Sequence, residues 1–252
     1  MGLNLIMLGP PGAGKGTQAE RLARTRGVPK ISTGDILREA VSAGTTVGQR
    51  AKAVMDRGEL VGDDVMIGIV TERLDRSDAR EGFVLDGFPR TVAQATALDA
   101  MIDGRGPLIV LDIVVPEAEL VRRLSTRMIC EDCGATAGAV DKGAAADKMV
   151  MPAVAGATTA EGVAAIRAQT EPMRCRRCGG RLVQRSDDND AIVLERLKVY
   201  HRQTEPLVEY YRVRPTFRSV NGAQPPDHVA ADLAAAIESA SVAGVRSGGE
   251  RR

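Results

Sequence analysis

The sequence predicts an α/β protein in which a five-stranded parallel sheet is flanked by helices. Short leucine-rich or β-branched runs bounded by turn residues recur at 3–8, 28–31, 83–85, 108–115 and 216–220, and each reads as a buried strand. Between and after them lie segments with helical spacing at 14–26, 34–42, 47–57, 63–75, 91–103, 117–125, 192–211 and 227–240. Strand alternating with helix argues for parallel pairing, because a parallel crossover takes about a dozen residues or more.

The first strand ends in Gly9-Pro10-Pro11-Gly12-Ala13-Gly14-Lys15-Gly16-Thr17, and the first helix begins there. Glycines at this junction let backbone N–H groups converge on phosphate oxygens, and a helix N-terminus adds partial positive charge. Lys15 supplies a point charge. The general phosphate-loop pattern puts Ser or Thr directly after the lysine, whereas Gly16 intervenes here and the hydroxyl arrives at Thr17. The loop therefore says nucleotide phosphate without naming a reaction.

Composition excludes several alternatives. With 34 Lys plus Arg against 33 Asp plus Glu, no strong net field recruits nucleic acid or an anionic membrane. No tryptophan and only three Phe and three Tyr leave little for base stacking along a single strand. The apolar run at 3–8 is too short for a signal peptide or a membrane span, so a cytoplasmic protein is expected. A chain of 252 residues, 44% of them apolar, can bury its own core and is expected to be a monomer.

One stretch breaks the alternation. From about 127 to 188 the knuckles Cys130-x-x-Cys133 and Cys175-x-x-Cys178 bracket an Ala/Gly/Val-rich segment at 135–170. In a reducing compartment four cysteines in this arrangement favour a tetrahedral zinc site over disulfides, although a redox pair or free thiols remain alternatives. The intervening loop, 134–174, exceeds usual zinc-ribbon spacing. Its added closure entropy is only about 0.8 kcal/mol, against apparent zinc binding of about 10–16 kcal/mol in small metal domains. The zinc would be structural, since four thiolates leave no open position. The Gly-, Ser- and Arg-rich segment 242–252 is expected to be a flexible tail.

Three further segments carry a resemblance. Ser32-Thr33-Gly34-Asp35-Ile36-Leu37-Arg38, Gly58-Glu59-Leu60-Val61 and Asp86-Gly87-Phe88-Pro89-Arg90, with Gln94 shortly after, follow the Gly-Lys-Gly-Thr loop in order. Together they resemble the nucleoside monophosphate kinases, and adenylate kinases best. The resemblance covers the chain apart from 135–170 and the tail. It implies a P-loop NTPase-like core at 1–31, 62–125 and 189–241, a small helical NMP-binding insertion at 32–61 and a zinc-ribbon-like lid at 126–188.

It also implies the chemistry: γ-phosphoryl transfer from ATP, with Mg²⁺, to AMP, giving ADP. On the acceptor side Thr33, Leu60, Val61 and Gln94 would line the AMP base pocket beside Gly87, and Arg38 and Arg90 would grip its phosphate. A guanidinium presents parallel donors to a phosphate, and a side-chain amide can pair with the edge of adenine. On the donor side Gly12, Ala13, Gly14, Lys15, Gly16 and Thr17 would hold the ATP phosphates, with Arg123 stacked on the adenine, Arg127 facing ATP and the backbone near Gln224 touching its base. Arg185 and Arg196 would converge on the group in flight. Asp86, at the carboxyl end of a strand, would hold Mg²⁺ through water, with Asp35 as a second candidate.

Met128 stands where the family has a second consecutive arginine, and the 135–170 insert lacks aromatics to pack a small lid. Alternatives are a GTP-dependent or pyrimidine monophosphate kinase, which Gln94 and Thr33 disfavour on the acceptor side, and a catalytically dead core carrying a zinc-ribbon binding module. His201 and His228 read as ordinary helix or loop residues, because an AMP phosphate oxygen needs no general base.

Overall fold

The computed structural model describes residues 2–137 and 173–249. Five strands, β1 (Leu3–Leu8), β2 (Lys30–Ser32), β3 (Gly82–Asp86), β4 (Leu108–Val114) and β8 (Phe217–Asn221), form one all-parallel sheet in the order β2-β3-β1-β4-β8. All five lie on or within two residues of the runs predicted. β1 and β4 are almost wholly buried, as strands covered on both faces must be.

Helices cover both faces and divide the core in two. One apolar layer packs Leu22, Leu120, Leu124, Leu233 and Ile237, from α1 (Lys15–Arg26), α6 (Glu117–Ser125) and α9 (Pro226–Gly249), against Leu5, Ile109 and Leu111. The other packs Val70, Leu74, Leu98, Leu207 and Tyr211, from α4 (Asp63–Leu74), α5 (Val92–Met101) and α8 (Pro206–Arg212), against Ile6, Phe83, Leu85 and Val110. Alternate residues of β1 and β4 feed opposite layers, the period-2 pattern of a strand. All five strands point their carboxyl ends the same way, so the loops after β1, β2 and β3 gather at one edge.

Between β2 and α4, the short helices α2 (Thr33–Ser42) and α3 (Thr46–Met55) form a small antechamber over that edge. Each starts on a hydroxyl cap: Ser32 accepts from the Asp35 N–H and Thr45 from the Gly48 N–H. Gly48 fits because a Cβ there would lie 2.0 Å from the Ala40 carbonyl, so the two helices touch backbone to backbone.

The lid segment contributes a second sheet, order β6-β5-β7, in which β5 (Met128–Cys130) pairs antiparallel with β6 (Thr136–Ala137) and β7 (Leu182–Gln184). Most of the expected expanded loop at 135–170 lies outside the described residues.

Two expectations are corrected. The single helix expected over 192–211 is α7 (Asp190–Val199), a π-helical turn (Tyr200–Thr204) and α8. Pro206 explains the break: it has no N–H for the carbonyl one turn back and its ring crowds that turn, and the wider turn closes instead with Glu205 N–H on the Tyr200 carbonyl. The C-terminal segment, expected to be a flexible tail from 242, continues α9 as helix to Gly249. Gly244 lies against Pro107 and Thr216, where a Cβ would be 3.1 Å and 3.2 Å from their side chains, so this stretch has a surface to pack on.

Candidate active site

The glycine-rich loop is shaped by its neighbours. Gly9 has φ +129°, and a Cβ there would sit 2.5 Å from the Ile113 carbonyl, so only glycine lets the chain leave β1 beside β4. A Cβ at Gly12 would press on Leu124 and the Leu120 carbonyl of α6. Gly16 explains the departure from the general loop pattern: a Cβ would lie 3.2 Å from Asp86 Oδ2, so this helix start runs close against the carboxylate that ends β3.

Lys15 folds back over the loop, donating to the carbonyls of Gly9 at 2.7 Å and Pro10 at 2.8 Å. Burial is the largest influence on its ammonium and lowers the pKa to about 8, with Asp86 opposing and Arg90, Arg196 and Arg127 assisting. The loop thus holds a buried ammonium that nearby negative charge would favour.

Over the sheet edge opens a cleft lined by, among others, Lys15, Thr33, Arg38, Leu60, Val61, Gly87, Arg90, Gln94 and Arg196. Every residue expected around AMP is in that lining, as is Arg196 of the pair expected to converge on the group in flight, whereas Arg185 is not. Thr33 donates to the Gly87 carbonyl at 2.9 Å, tying the start of α2 to the loop after β3. Arg90 Nε bonds the same carbonyl at 2.8 Å.

Gln94 is buried and already engaged: its Oε1 accepts from the Arg90 N–H at 2.8 Å, and its Nε2 donates to Asp63 at 2.7 Å. One amide hydrogen and one lone pair remain for a base edge. Arg38 is paired with Asp35, which also faces Lys30 at 3.5 Å, so the second magnesium candidate is occupied in holding an acceptor-side arginine.

Arg127 and Arg196 converge on one carboxylate. Asp188, fully buried, takes both oxygens' worth of Arg127, at 2.6 and 2.5 Å, and Arg196 at 3.0 Å. Arg196 also faces Asp187 at 3.2 Å. Arg185 has a buried Nε with no hydrogen-bond partner among the described residues. Burial lowers its pKa first, and the neighbouring charges of Arg127 and Arg38 push the same way. Arg90 is lowered likewise by burial and then by Arg196. Such mutually repelling cations, which Asp35, Asp187 and Asp188 answer only in part, describe a receptacle for polyanions.

The sequence reading missed four carboxylates here. Asp188 and Asp187 follow Arg185 almost directly, and an acidic pair amid arginines was the available signal. Asp63 orders Gln94 and Thr91 from a distant segment and left no signal in spacing. Asp112, buried on β4, is raised chiefly by burial while Lys15 opposes.

The residues expected at the donor base lie apart from the cleft lining. Arg123 donates to Glu119 at 2.7 Å and to the Gly222 carbonyl at 2.9 Å, and Gln224 bonds Asp232 and the Asn221 carbonyl. Gly222 packs on the loop itself, its would-be Cβ 3.4 Å from the Ala13 carbonyl.

In the lid the four cysteine sulfurs lie within 4.8 Å of one another, with Cys130–Cys178 at 3.4 Å and Cys133–Cys175 at 3.6 Å. These separations exclude disulfide bonds. They suit a tetrahedron of about 2.3 Å metal–sulfur bonds, whose edge is about 3.8 Å. The Arg177 N–H points at Cys175 Sγ at 3.4 Å, as it would toward a metal-bound thiolate. This group could hold a metal ion.

A glycine-rich loop between strand and helix, at the carboxyl edge of a parallel sheet and faced by an arginine cluster, defines a P-loop phosphotransferase of the nucleotide-kinase type. The family model described as adenylate kinase matches residues 7–216. Adenylate kinase of Archaeoglobus fulgidus is 44% identical over 94% of this chain and 98% of its own length. That of Rhizobium rhizogenes is 45% identical over 93% and 99%, and that of Moorella thermoacetica 45% identical over 88% and 92%. The chain belongs to the adenylate kinase family. No helix among the described residues is long and apolar enough to cross a membrane.

Proposed function

We propose that this protein transfers the γ-phosphoryl group of MgATP reversibly to AMP, giving two ADP, by direct in-line displacement. An AMP phosphate oxygen attacks the γ-phosphorus while the bond to the β–γ bridging oxygen breaks and ADP leaves. The nucleophile is already anionic, so no base is needed. The single observation that carries the reading is the buried Arg185 Nε, without a hydrogen-bond partner among the described residues and set beside Arg127 and Arg38, in a cluster whose cations Asp187 and Asp188 answer only in part.

In this reading Arg38 and Arg90 hold the AMP phosphate, and Thr33, Leu60, Val61 and Gln94 enclose its base. Lys15 and the loop N–H groups hold the ATP phosphates, while Arg127, Arg185 and Arg196 share the charge spread over the equatorial oxygens. Mg²⁺ on the ATP phosphates would neutralise charge there, and Asp86, pressed against the Gly16 turn, is the carboxylate suited to hold it. The four cysteines would carry one structural Zn²⁺ that fixes the lid hairpin.

Purified protein given MgATP and a panel of nucleoside monophosphates should turn over fastest with AMP, and MgGTP should be the poorer donor. A preference for UMP or CMP would move the protein to a pyrimidine kinase. Absence of turnover with every pair, despite ATP binding, would overturn the proposal in favour of a dead core.

A further inference from the structure

Glu119 sits in the first turn of α6, one helical turn before Arg123. Its Oε1 accepts from Arg123 Nε at 2.7 Å, and Arg122 grips both oxygens at 2.7 Å. The other end of the Arg123 guanidinium donates from NH2 to the Gly222 carbonyl at 2.9 Å. That carbonyl cannot drift: a Cβ on Gly222 would be 2.4 Å from Ile113 Cγ2 and 2.7 Å from Val115 Cγ2, so the backbone there is wedged against β4 and its continuation.

Guanidinium N–H bonds point outward in the plane of the group. Both anchors therefore engage edges and leave the two faces of Arg123 uncovered by them. A planar cation held at its edges and offering a face is suited to stack on a purine ring. Glu119 stays ionised to do this, held down to about 2 by the hydrogen bonds from Arg122 and Arg123. As a partly exposed surface pair with only local reach it contributes little to stability, so its value lies in orientation.

We propose that Glu119 is a positioning residue for the donor nucleotide, fixing the Arg123 plane against the adenine of ATP. The proposal rests on the reading of Arg123 as the donor-base contact. The test compares Glu119→Leu, Glu119→Gln, Arg122→Ala, Arg123→Ala and the Glu119→Leu/Arg123→Ala double variant by steady-state kinetics, with inorganic tripolyphosphate as a base-free probe of the phosphate loop.

Glu119→Leu should raise KM for ATP roughly threefold to tenfold, a fraction of the loss expected on deleting a base-stacking side chain. The kcat, KM for AMP and tripolyphosphate affinity should stay put. Glu119→Gln, which keeps an acceptor oxygen, should recover part of the effect, and Arg122→Ala, which frees Glu119 from its second partner but leaves its bond to Arg123, should change KM for ATP less than Glu119→Leu does. In the Arg123→Ala background Glu119→Leu should add nothing.

If Arg123→Ala weakens ATP but Glu119→Leu does not, the positioning role is wrong and the Arg123 reading stands. If Arg123→Ala leaves ATP binding untouched, the reading beneath fails and the proposal with it. Equal losses for ATP, AMP and tripolyphosphate, with a lowered melting temperature, would make Glu119 merely structural and overturn the proposal.

Discussion

Replacing Asp188 by alanine tests whether the arginines work because a buried acid aims them. Asp188 is fully buried and accepts two bonds from Arg127 and one from Arg196, both arginines being less than one-quarter exposed. Breaking a buried ion pair by deleting one partner costs about 3–5 kcal/mol, and the residual exposure of the arginines places this case near the lower end. Bound phosphates would give the arginines new partners, so much of the loss should appear as misorientation in the transition state. About 3 kcal/mol corresponds to roughly a hundredfold in kcat.

The assay is ATP-plus-AMP turnover with thermal melting in parallel, and Asp188→Asn, which retains one acceptor oxygen, should fall between parent and alanine. An Asp188→Ala protein that melts and turns over like the parent would refute the idea that this carboxylate organises Arg127 and Arg196. So would a loss confined to KM with kcat intact.

Lys15 titrates near 8 in the free protein, so its ammonium is lost as pH rises through that value. The kcat/KM for ATP should fall above pH about 8 while kcat persists to higher pH, because bound phosphates favour the ammonium; a flat kcat/KM up to pH 9.5 would contradict it. Gly16→Ser, which restores the general loop pattern, should crowd Asp86 and cut kcat/KM about tenfold or more without unfolding the chain, checked by kinetics at varied magnesium. Chelation of the holoprotein, or Cys133→Ser, should remove about one zinc per chain by elemental analysis and lower the melting temperature by several degrees. Unchanged melting after complete zinc loss would show that the knuckles do not brace the lid.

Much of this architecture was legible because its signals are local. The run 3–8 followed by the glycine-rich turn has few physical solutions: a buried strand, a tight exit and a helix start. The residues expected on the acceptor side were named through resemblance, and the structure gathers Thr33, Arg38, Leu60, Val61, Gly87, Arg90 and Gln94 around one cleft from three separate segments.

What escaped was contact across sequence distance. The Asp188–Arg127 pair spans 61 positions and the Asp63–Gln94 bond 31, and no periodicity encodes either. Pro206 was visible as a helix breaker, yet helical spacing on both sides of it hid the π-helical turn. Beyond 242, composition suggested fraying, whereas Gly244 allowed a close fit against Pro107 that composition cannot register.

The charges around the cleft do not balance. Lys15, Arg38, Arg90, Arg127, Arg185 and Arg196 act on one another, while Asp35, Asp86, Asp187 and Asp188 oppose them. An unladen protein drawn tight around this surplus is pushed apart from within, and water carries no countercharge to relieve it. A polyphosphate does, acting as the keystone that lets the parts settle. The gathering of these parts is thereby tied to the arrival of phosphates, and raised ionic strength should loosen that tie by screening the charges.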